Sequence, residues 1–576
     1  MILAKLSEHF RAAIQALPQL KDKEVEISFV VPKEREHGDF ATNLAFLLAK
    51  KNQLNPVELA KKLVEVIQET DAGAYLARIE VAGPGFINLF LNQQAWQEAL
   101  TEILAAGKDY GRSPDGKDHT IVIDYGGENI AKPMSVGHLR SNILGQATAN
   151  IYRYLGWRVI GDNFVGDWGT QFGKLITAYK HWGDQTKIEE DPITELVTLY
   201  QRFHQEAEKQ PELEDEARAE FSKLEQGDEE NRHLWEWFVK ESFTAFDVMH
   251  NRLGVLFDVV RGESFYEPML AKIIKEFRKH KFTIKNKDGS MIIDLTDEGL
   301  PPMLIQKSDG STLYATRDLA AIKSRLAEFK PERLVYFVDQ GQELHFRQLF
   351  AAARKIDWNC DYTHAAFGRV NFGGKRMATR AGHVIQLAEL LDKTVAEASK
   401  LLTEKGLDLG AAKKEKVAEM VGVGAVIYND LSQNRITDID FSWEKALDFD
   451  GNTAPYLQYS YARAKSILAK AEEAGKKLDD LKLALAEPLL ADESALIQHA
   501  LTYQAVLEQA ALEYKPNLVA NFAYELAQRF NHFYNSLPVL KAKQKQQQLR
   551  LGLTLLVVNL LKSSLALLGI KVPAQM

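Results

Sequence analysis

The feature that most limits how this chain can fold lies between residues 119 and 165. His119-Thr120-Ile121-Val122-Ile123-Asp124-Tyr125 is a short apolar run suited to a buried strand. It empties into a loop carrying Gly126 and Gly127, a helical pattern follows over about 136–155, and a second strand-like run covers 157–165. Strand, loop, helix and strand make a βαβ unit, and parallel strands joined this way need a sheet covered on both faces. Nucleotides bind such sheets where strand carboxyl ends face helix N-termini. The segment at that place is DYGGENIAKPMSVGHLRS, residues 124–141. Gly137 has no Cβ, so a flat base or ribose can lie on its backbone. His138 can donate to a phosphate or ring oxygen, and Lys132 supplies a mobile positive charge. A bare Gly-His pair would be an incidental part of a capping loop; the weight lies in the whole string.

The rest of the chain must form other units, because 576 residues exceed what one hydrophobic core supports. Residues 1–107 suggest a small α+β unit. It has an opening helix, an alternating run at 25–29 that predicts a strand, and helices from about Ala41 and from Pro56. Strand formers lie on both sides of Gly83-Pro84-Gly85. GKDYGRSPDGKD (107–118) has the composition of a linker. Residues 184–250 are acidic and helical in period, an insertion or covering helices. Strand-like runs return at 291–295, 334–338 and 365–367 and predict completion of the sheet. From about 385 onward the pattern is helical, apart from a loop at 449–455 and the polar tract KAKQKQQQ (541–548), which reads as a solvated turn.

Hydrophobic residues are 46% of the chain and charged residues 26%, the proportions of a globular protein. Lys5, Glu8, His9 and Arg11 break the opening stretch into an amphipathic helix rather than a leader. The most apolar late stretch, 551–561, ends at Lys562 and is too short to span a bilayer. The cytoplasm is therefore the expected location. A single cysteine, Cys360, leaves no internal disulfide and no cysteine-rich zinc site. Net charge is −8, so any nucleic-acid contact must come from local basic patches.

NIAKPMSVGHLRS (129–141) resembles the HIGH-motif segment of arginyl-tRNA synthetases, a class I family. Further segments resemble that family in its own order: GESFYEP (262–268), TLYATRDLAAI (312–322), DQGQELHF (339–346), MATRAGHVIQL (377–387) and FDGNTAPYLQYSYARAKSIL (449–468). GDFATNLAF and GPGFINLFL near the start, and YELAQRFNHFYNSLPVL near the end, extend the likeness almost over the whole chain. It implies an α/β Rossmann-like catalytic domain at 119–385 with a helical insertion. Flanking it would be an N-terminal α+β domain (1–107) that contacts the tRNA D-loop and an all-α anticodon-binding domain (386–576). The implied reaction activates L-arginine with ATP to arginyl-adenylate, then transfers it to the 3′ end of tRNA(Arg), releasing AMP and pyrophosphate. ATP would enter as its Mg2+ complex, with no zinc or organic cofactor and no membrane, on a monomer. Arginine activation would itself require bound tRNA.

The resemblance also assigns residues. Lys132, Ser135 and His138 would be catalytic; Gly137, His138, Arg376, Met377 and Arg380 would hold ATP. Three positions depart from the family pattern. Ser135 replaces the first histidine of the motif, Glu128 stands where a proline is usual, and Thr379 replaces a lysine of the second signature loop. The transition-state charge then falls to Lys132, with Arg376 or Arg380 as weaker candidates, and Glu128 would repel a triphosphate unless it points away. A guanidinium asks for carboxylates in planar fork geometry. Glu263 and Asp318 are the implied partners, with Tyr314 beside them, and Asp124, Asn129 and Gln342 would hold the amino and carboxylate ends. Tyr314 and Asp318, four apart at a helix start, share a face. For RNA, Phe86 and Asn88 alternate onto one side of a strand, while Asn452, Tyr456, Tyr459 and Arg463 mix aromatics with charge. Two rivals remain. A cysteinyl synthetase wants zinc ligands that one cysteine cannot supply. A synthetase-like tRNA-binding protein with impaired catalysis is favoured by Ser135, Glu128 and Thr379, and opposed by Lys132, His138, Glu263, Asp318 and Gln342.

Overall fold

The computed structural model describes residues 2–20, 25–373, 375–376, 385–405, 410–478, 481, 485 and 487–576, with backbone alone at 375, 376 and 544. Met377, Thr379, Arg380 and the side chain of Arg376 lie outside the described residues. At the centre is a five-stranded, all-parallel sheet. Its spatial order is Asp361–His364, Arg333–Tyr336, Thr120–Asp124, Arg158–Val165, Val259–Gly262. Ile121 and Ile123 face a core shared with the helix Val136–Tyr154. Val122 faces the opposite core, with Leu319 and Leu349 from the helices Tyr314–Phe329 and Glu343–Arg354. Burial on both faces is why this strand reads as an unbroken apolar run. The chain leaves Thr120–Asp124 to one side and later returns to its other side as Arg333–Tyr336, so the strand order reverses between these two. A crevice opens beyond the carboxyl ends of strands at such a reversal.

The insertion between Arg158–Val165 and Val259–Gly262 is helical, as its acidic period predicts, and ends in the long helix Glu229–Leu253. Asp184, Asp191 and Asp228 cap its helices by accepting backbone N–H groups. The run at 291–295 does form a strand, Met291–Ile293, but not in the parallel sheet. It pairs antiparallel with Thr283–Lys285 and Met303–Gln306. The turn at Asp288-Gly289, where Asn286 N–H donates to Ser290 O at 2.8 Å, sends the chain straight back, and parallel pairing would need a longer crossover. The run at 365–367 is likewise displaced. The edge strand is Asp361–His364, and Phe367 makes only an isolated bridge to Asp339.

In the N-terminal unit, Ile2, Leu6, Phe10, Ala13 and Ile14 form the buried stripe of the helix Ile2–Ala16. Helices Leu44–Asn52 and Pro56–Gln68 follow, the second capped by the Asn55 side chain. Phe86–Leu91 is the middle strand of three, between Phe40–Thr42 and Leu76–Ala82. The alternating residues 25–29 make no ladder; only Val30 pairs, with Ala41, and that pairing delays the next helix to Leu44. The linker-like 107–118 segment is a packed joint. Tyr110 is buried and stacks on Tyr503 at 6.5 Å, Tyr154 Oη donates to Tyr110 O at 2.8 Å, and a side chain at Gly111 (φ +88°) would meet the Tyr503 ring.

Among the described residues the C-terminal third is helices and their connections, with one strand, Ile439–Phe441, which pairs parallel with Val370–Phe372. The polar tract at 541–548 is mostly not a turn, since the helix Gln544–Leu567 begins inside it; lysine and glutamine are good helix formers. The loop expected at 449–455 ends earlier, because Pro455 sits in the first turn of Ala454–Glu473 under a Thr453 cap. Within Gln544–Leu567, the stretch Lys545–Leu567 is long and apolar enough to cross a membrane by length and composition. Its Leu553, Leu556, Val557, Leu560 and Leu561 are instead buried where it packs on Ala454–Glu473 and Asn517–Ser536, as the core helix of that domain.

Candidate functional site

A cavity of about 1250 Å³ occupies the crevice. Asp124, Gly126 and Gly127 line it from the end of the first strand, and Ser135, Gly137 and His138 from the start of the following helix. Tyr314, Asp318, Gln342 and His345 form the facing wall. Gly126 is at φ +95°, and a Cβ there would sit 2.7 Å from Asn163 Oδ1, so the turn that opens the cavity admits only glycine.

Ser135 N–H donates to His138 Nδ1 at 3.0 Å. A ring nitrogen that accepts this bond is unprotonated, so the neutral ring carries its proton on Nε2. Burial holds the His138 imidazole below its usual range, Lys132 adds to that, and Glu128 and the Ser135 bond oppose it. A neutral N–H donor therefore sits at the N-terminus of a helix, the positive end of its dipole, an arrangement suited to phosphate oxygens. The same helix start is clamped from behind: Val136 N–H donates to Ile385 O at 3.3 Å and Leu387 N–H to Met134 O at 2.8 Å. One turn on, the buried Arg140 pairs with Asp430 at 2.9 Å and donates to Thr437 O at 2.9 Å, tying the helix to Ala411–Leu431.

Glu128 does not line the cavity. It is buried and accepts from Asn142 Nδ2 at 2.9 Å and Asn163 Nδ2 at 2.7 Å, with His250 Nε2 at 3.1 Å. Burial alone would raise its carboxyl, but these bonds and the nearby His250 hold it at about 2. Its charge is thus turned inward, away from any triphosphate. Lys132 is exposed on the loop, outside the cavity lining, and makes no ion pair among the described residues. Its neighbour Ala131 has φ +59°, a left-handed conformation that costs a side-chain-bearing residue energy.

Negative charge gathers at the end of the first strand and on the facing wall. Asp124 and Asp162 share one buried guanidinium, Arg325, at 2.6 and 2.8 Å. One cation for two carboxylates leaves an excess charge. Burial pushes the Asp124 carboxyl up to about 7; Arg325 opposes this, and Asp162 and Asp318 add to it. Asp318 pairs with His345 Nε2 at 2.6 Å, and Tyr314 is 72% exposed at the cavity mouth. Glu263 and Asn129 do not line the cavity. Glu263 opens the helix Glu263–Phe277, 3.9 Å from Arg317 Nη1, its carboxyl pushed up to about 7 by burial against the pull of Arg317. Arg317 Nε donates to Glu267 at 3.0 Å. Asn129 is bridged to Gly166, with no room for a Cβ between them.

Of the expected residues, the cavity gathers Asp124, Ser135, Gly137, His138, Tyr314, Asp318 and Gln342. His345 is an addition on the cavity wall, and Arg325, outside the lining, is the buried partner of Asp124. The only local signal was spacing, His345 one turn beyond Gln342 and Arg325 two turns beyond Asp318, and spacing names neither residue's partner.

For RNA, Phe86 is 41% exposed, but Asn88 is only 4% exposed and offers a base little access, because it lies in the middle strand between Ala41 and Glu80. In the helical domain, Tyr459 and Tyr534 are exposed with the Arg463 guanidinium between them, 4.8 and 5.7 Å from the two rings. Asn531 accepts from Arg463 at 2.9 Å and donates to Tyr456 Oη at 2.9 Å. Asn452 is exposed nearby and accepts from Tyr428 Oη at 2.7 Å. Tyr461 is core. Among the described residues, no three His, Cys, Asp or Glu side chains group to hold a metal.

Residues 99–443 match the family model for tRNA synthetases class I (R), catalytic domain. Residues 457–576 match the DALR anticodon binding domain, and 4–91 the arginyl tRNA synthetase N terminal domain. The chain is 41% identical over 576 residues to the arginine–tRNA ligase of Alkaliphilus metalliredigens, covering 99% of each. It is 41% identical over 548 residues to that of Enterococcus faecalis, covering 95% of each. Among solved structures it superposes on the arginyl-tRNA synthetase of Thermus thermophilus with a TM-score of 0.84 at 24% identity, over 100% of both chains.

Proposed function

The chain belongs to the arginyl-tRNA synthetase family, and from that premise we propose how its cavity divides the reaction. It ligates arginine to tRNA with ATP as the energy source. Arginine lies against Asp318, Tyr314 and Gln342, with its α-amino group toward Asp124. ATP lies across Gly137 and His138, its phosphates toward the helix start. The observation that carries this division is that one cavity has a carboxylate wall facing a helix N-terminus.

The arginine carboxylate attacks the α-phosphate in line and pyrophosphate leaves. A terminal tRNA hydroxyl then attacks the adenylate carbonyl and AMP leaves. No side chain acts as nucleophile; the protein positions the reactants and stabilises charge on the phosphates. His138 Nε2–H supplies a fixed donor at the positive end of the helix dipole, Ser135 holds the His138 ring, and Lys132 swings in to meet the developing charge. Mg2+ accompanies ATP as part of the substrate. Neither zinc nor an organic cofactor takes part, and the enzyme works as a cytoplasmic monomer.

Residues 1–107 contact the tRNA through the face that bears Phe86, and residues 386–576 take the anticodon on the Tyr459–Arg463–Tyr534 surface beside Asn452 and Tyr456. Bound tRNA favours the competent state through the Arg140–Asp430 pair and the clamp at 385–387. The deciding experiment is ATP–pyrophosphate exchange with arginine, with and without cognate tRNA, followed by charging. Exchange and charging that appear only with tRNA support this reading. Full exchange in RNA-free enzyme overturns the coupling, and no charging at all overturns the assignment.

A further inference from the structure

The pairing of Asp318 with His345 uses one carboxylate oxygen. His345 Nε2 meets Oδ2 at 2.6 Å, while Oδ1 has no protein partner among the described residues. Both side chains line the cavity, 27% and 22% exposed, so neither is sealed in the core. They come from different helices, Glu343–Arg354 and Tyr314–Phe329, and the His345 ring is braced edge-on by Phe346 at 5.4 Å.

Guanidinium recognition demands a carboxylate in a fixed plane, because its N–H groups form a rigid planar fork. An unpinned aspartate turns freely about its last torsion. Pinning one oxygen fixes that plane and leaves the other oxygen for the substrate. The choice of pin matters as well. A lysine or arginine would hold Asp318 but offset its charge, as Arg325 offsets one of the two charges of Asp124 and Asp162. An imidazole can donate from Nε2 while neutral, so it fixes the carboxylate and leaves its charge for the ligand.

We infer that His345 is a positioning residue that determines arginine specificity, by fixing the Asp318 carboxylate with its free oxygen toward the substrate guanidinium. The inference rests on the reading of Asp318 as guanidinium ligand.

The test measures steady-state charging for His345→Ala, His345→Gln, His345→Lys and Asp318→Asn, with arginine and ATP varied separately and folding checked by thermal melting. His345→Ala should raise the arginine KM about tenfold, the worth of one well-placed hydrogen bond, with kcat and the ATP KM moving less than about twofold. Glutamine, a neutral donor, should restore most of the loss. Lysine, a charged donor, should not, and it should narrow the preference for arginine over the neutral analogue citrulline. His345→Ala on the Asp318→Asn background should add nothing. Equal effects on the arginine and ATP KM, rescue by lysine as full as by glutamine, or an additive double variant would each overturn the inference. Asp318→Asn with an unchanged arginine KM would instead remove the premise, whatever His345 does.

Discussion

The two walls of the cavity are built on opposite principles. On the amino-acid wall every charge is set before substrate arrives: Asp124 by Arg325, Asp318 by His345, all from helices and strands. On the nucleotide wall the His138 ring and the helix start are fixed, but the candidate cation, Lys132, makes no ion pair among the described residues and stands on a loop beside the strained Ala131. Selecting one side chain in the ground state needs geometry that pre-exists binding. Charge that develops only in the transition state is best met by a group that engages only then. On the proposed division of the cavity, the first wall chooses and the second accelerates.

Removing the cation of the preset wall should have the largest effect. Arg325→Met leaves Asp124 and Asp162 buried without a counter-charge, and we expect a loss of about 3–5 kcal/mol in denaturant unfolding. A variant as stable as its parent would mean that this wall is not held by charge. On the mobile wall, Lys132→Ala should lower kcat by about 10²–10³ with far less change in the ATP KM. Near-normal turnover would move that role to Arg376 or Arg380. Asp318→Ala should raise the arginine KM by roughly 10–100-fold and the ATP KM little, the range for a hydrogen bond to a charged group. Equal effects on both substrates would erase the distinction between the walls.

The smallest effect is one of pH. Burial raises the carboxyls of Asp124 and Glu263 to about 7, so in the empty site they are neutral in acid and charged in alkali. The wall becomes more negative as pH rises, and the arginine KM should fall by up to about tenfold per pH unit below that point, then level off. Asp124→Asn should flatten the profile; an unchanged profile would exclude Asp124 as its source. Stability moves the other way for these two groups. The folded chain keeps protons that the unfolded chain loses above 3.8 and 4.5, so their contribution is full in acid and lost as pH climbs to about 7. Glu128, held at about 2, stabilises above 4.5 and loses that effect as pH falls toward 2.

Sequence made the nucleotide wall easier to read than the amino-acid wall, for a physical reason. A strand buried on both faces, a Gly turn and a helix start are local, so 119–141 announced its own geometry, and Gly137 and His138 followed. Pairing between helices is not local. Nothing near Asp318 in sequence names His345 as its partner, and Arg325 reads as an ordinary exposed helix residue until Asp124 and Asp162 are seen on either side. Alternation placed Phe86 and Asn88 on one side of a strand, but only the sheet order shows that Asn88 lies under neighbouring strands. The existence of a strand at 291–293 was legible and its sheet was not, because the hairpin turn decides which neighbour it meets. Glu263 and Asn129 came from likeness to the family, and here they stand behind the wall rather than on it.

The packed joint at Tyr110 also bears on how the chain is made. Tyr503 covers it, and the helices Ala491–Leu501 and Gln544–Leu567 cover the last helix of the N-terminal unit, Gln93–Ala106. The earliest part of the chain to leave the ribosome thus waits for the latest. At roughly 5–20 residues per second, that interval lasts on the order of twenty seconds to a minute and a half. Throughout it, the apolar side of the joint faces water with no partner yet synthesised. A nascent chain stalled before Gln544 would hold a nearly complete cavity and an unfinished seam.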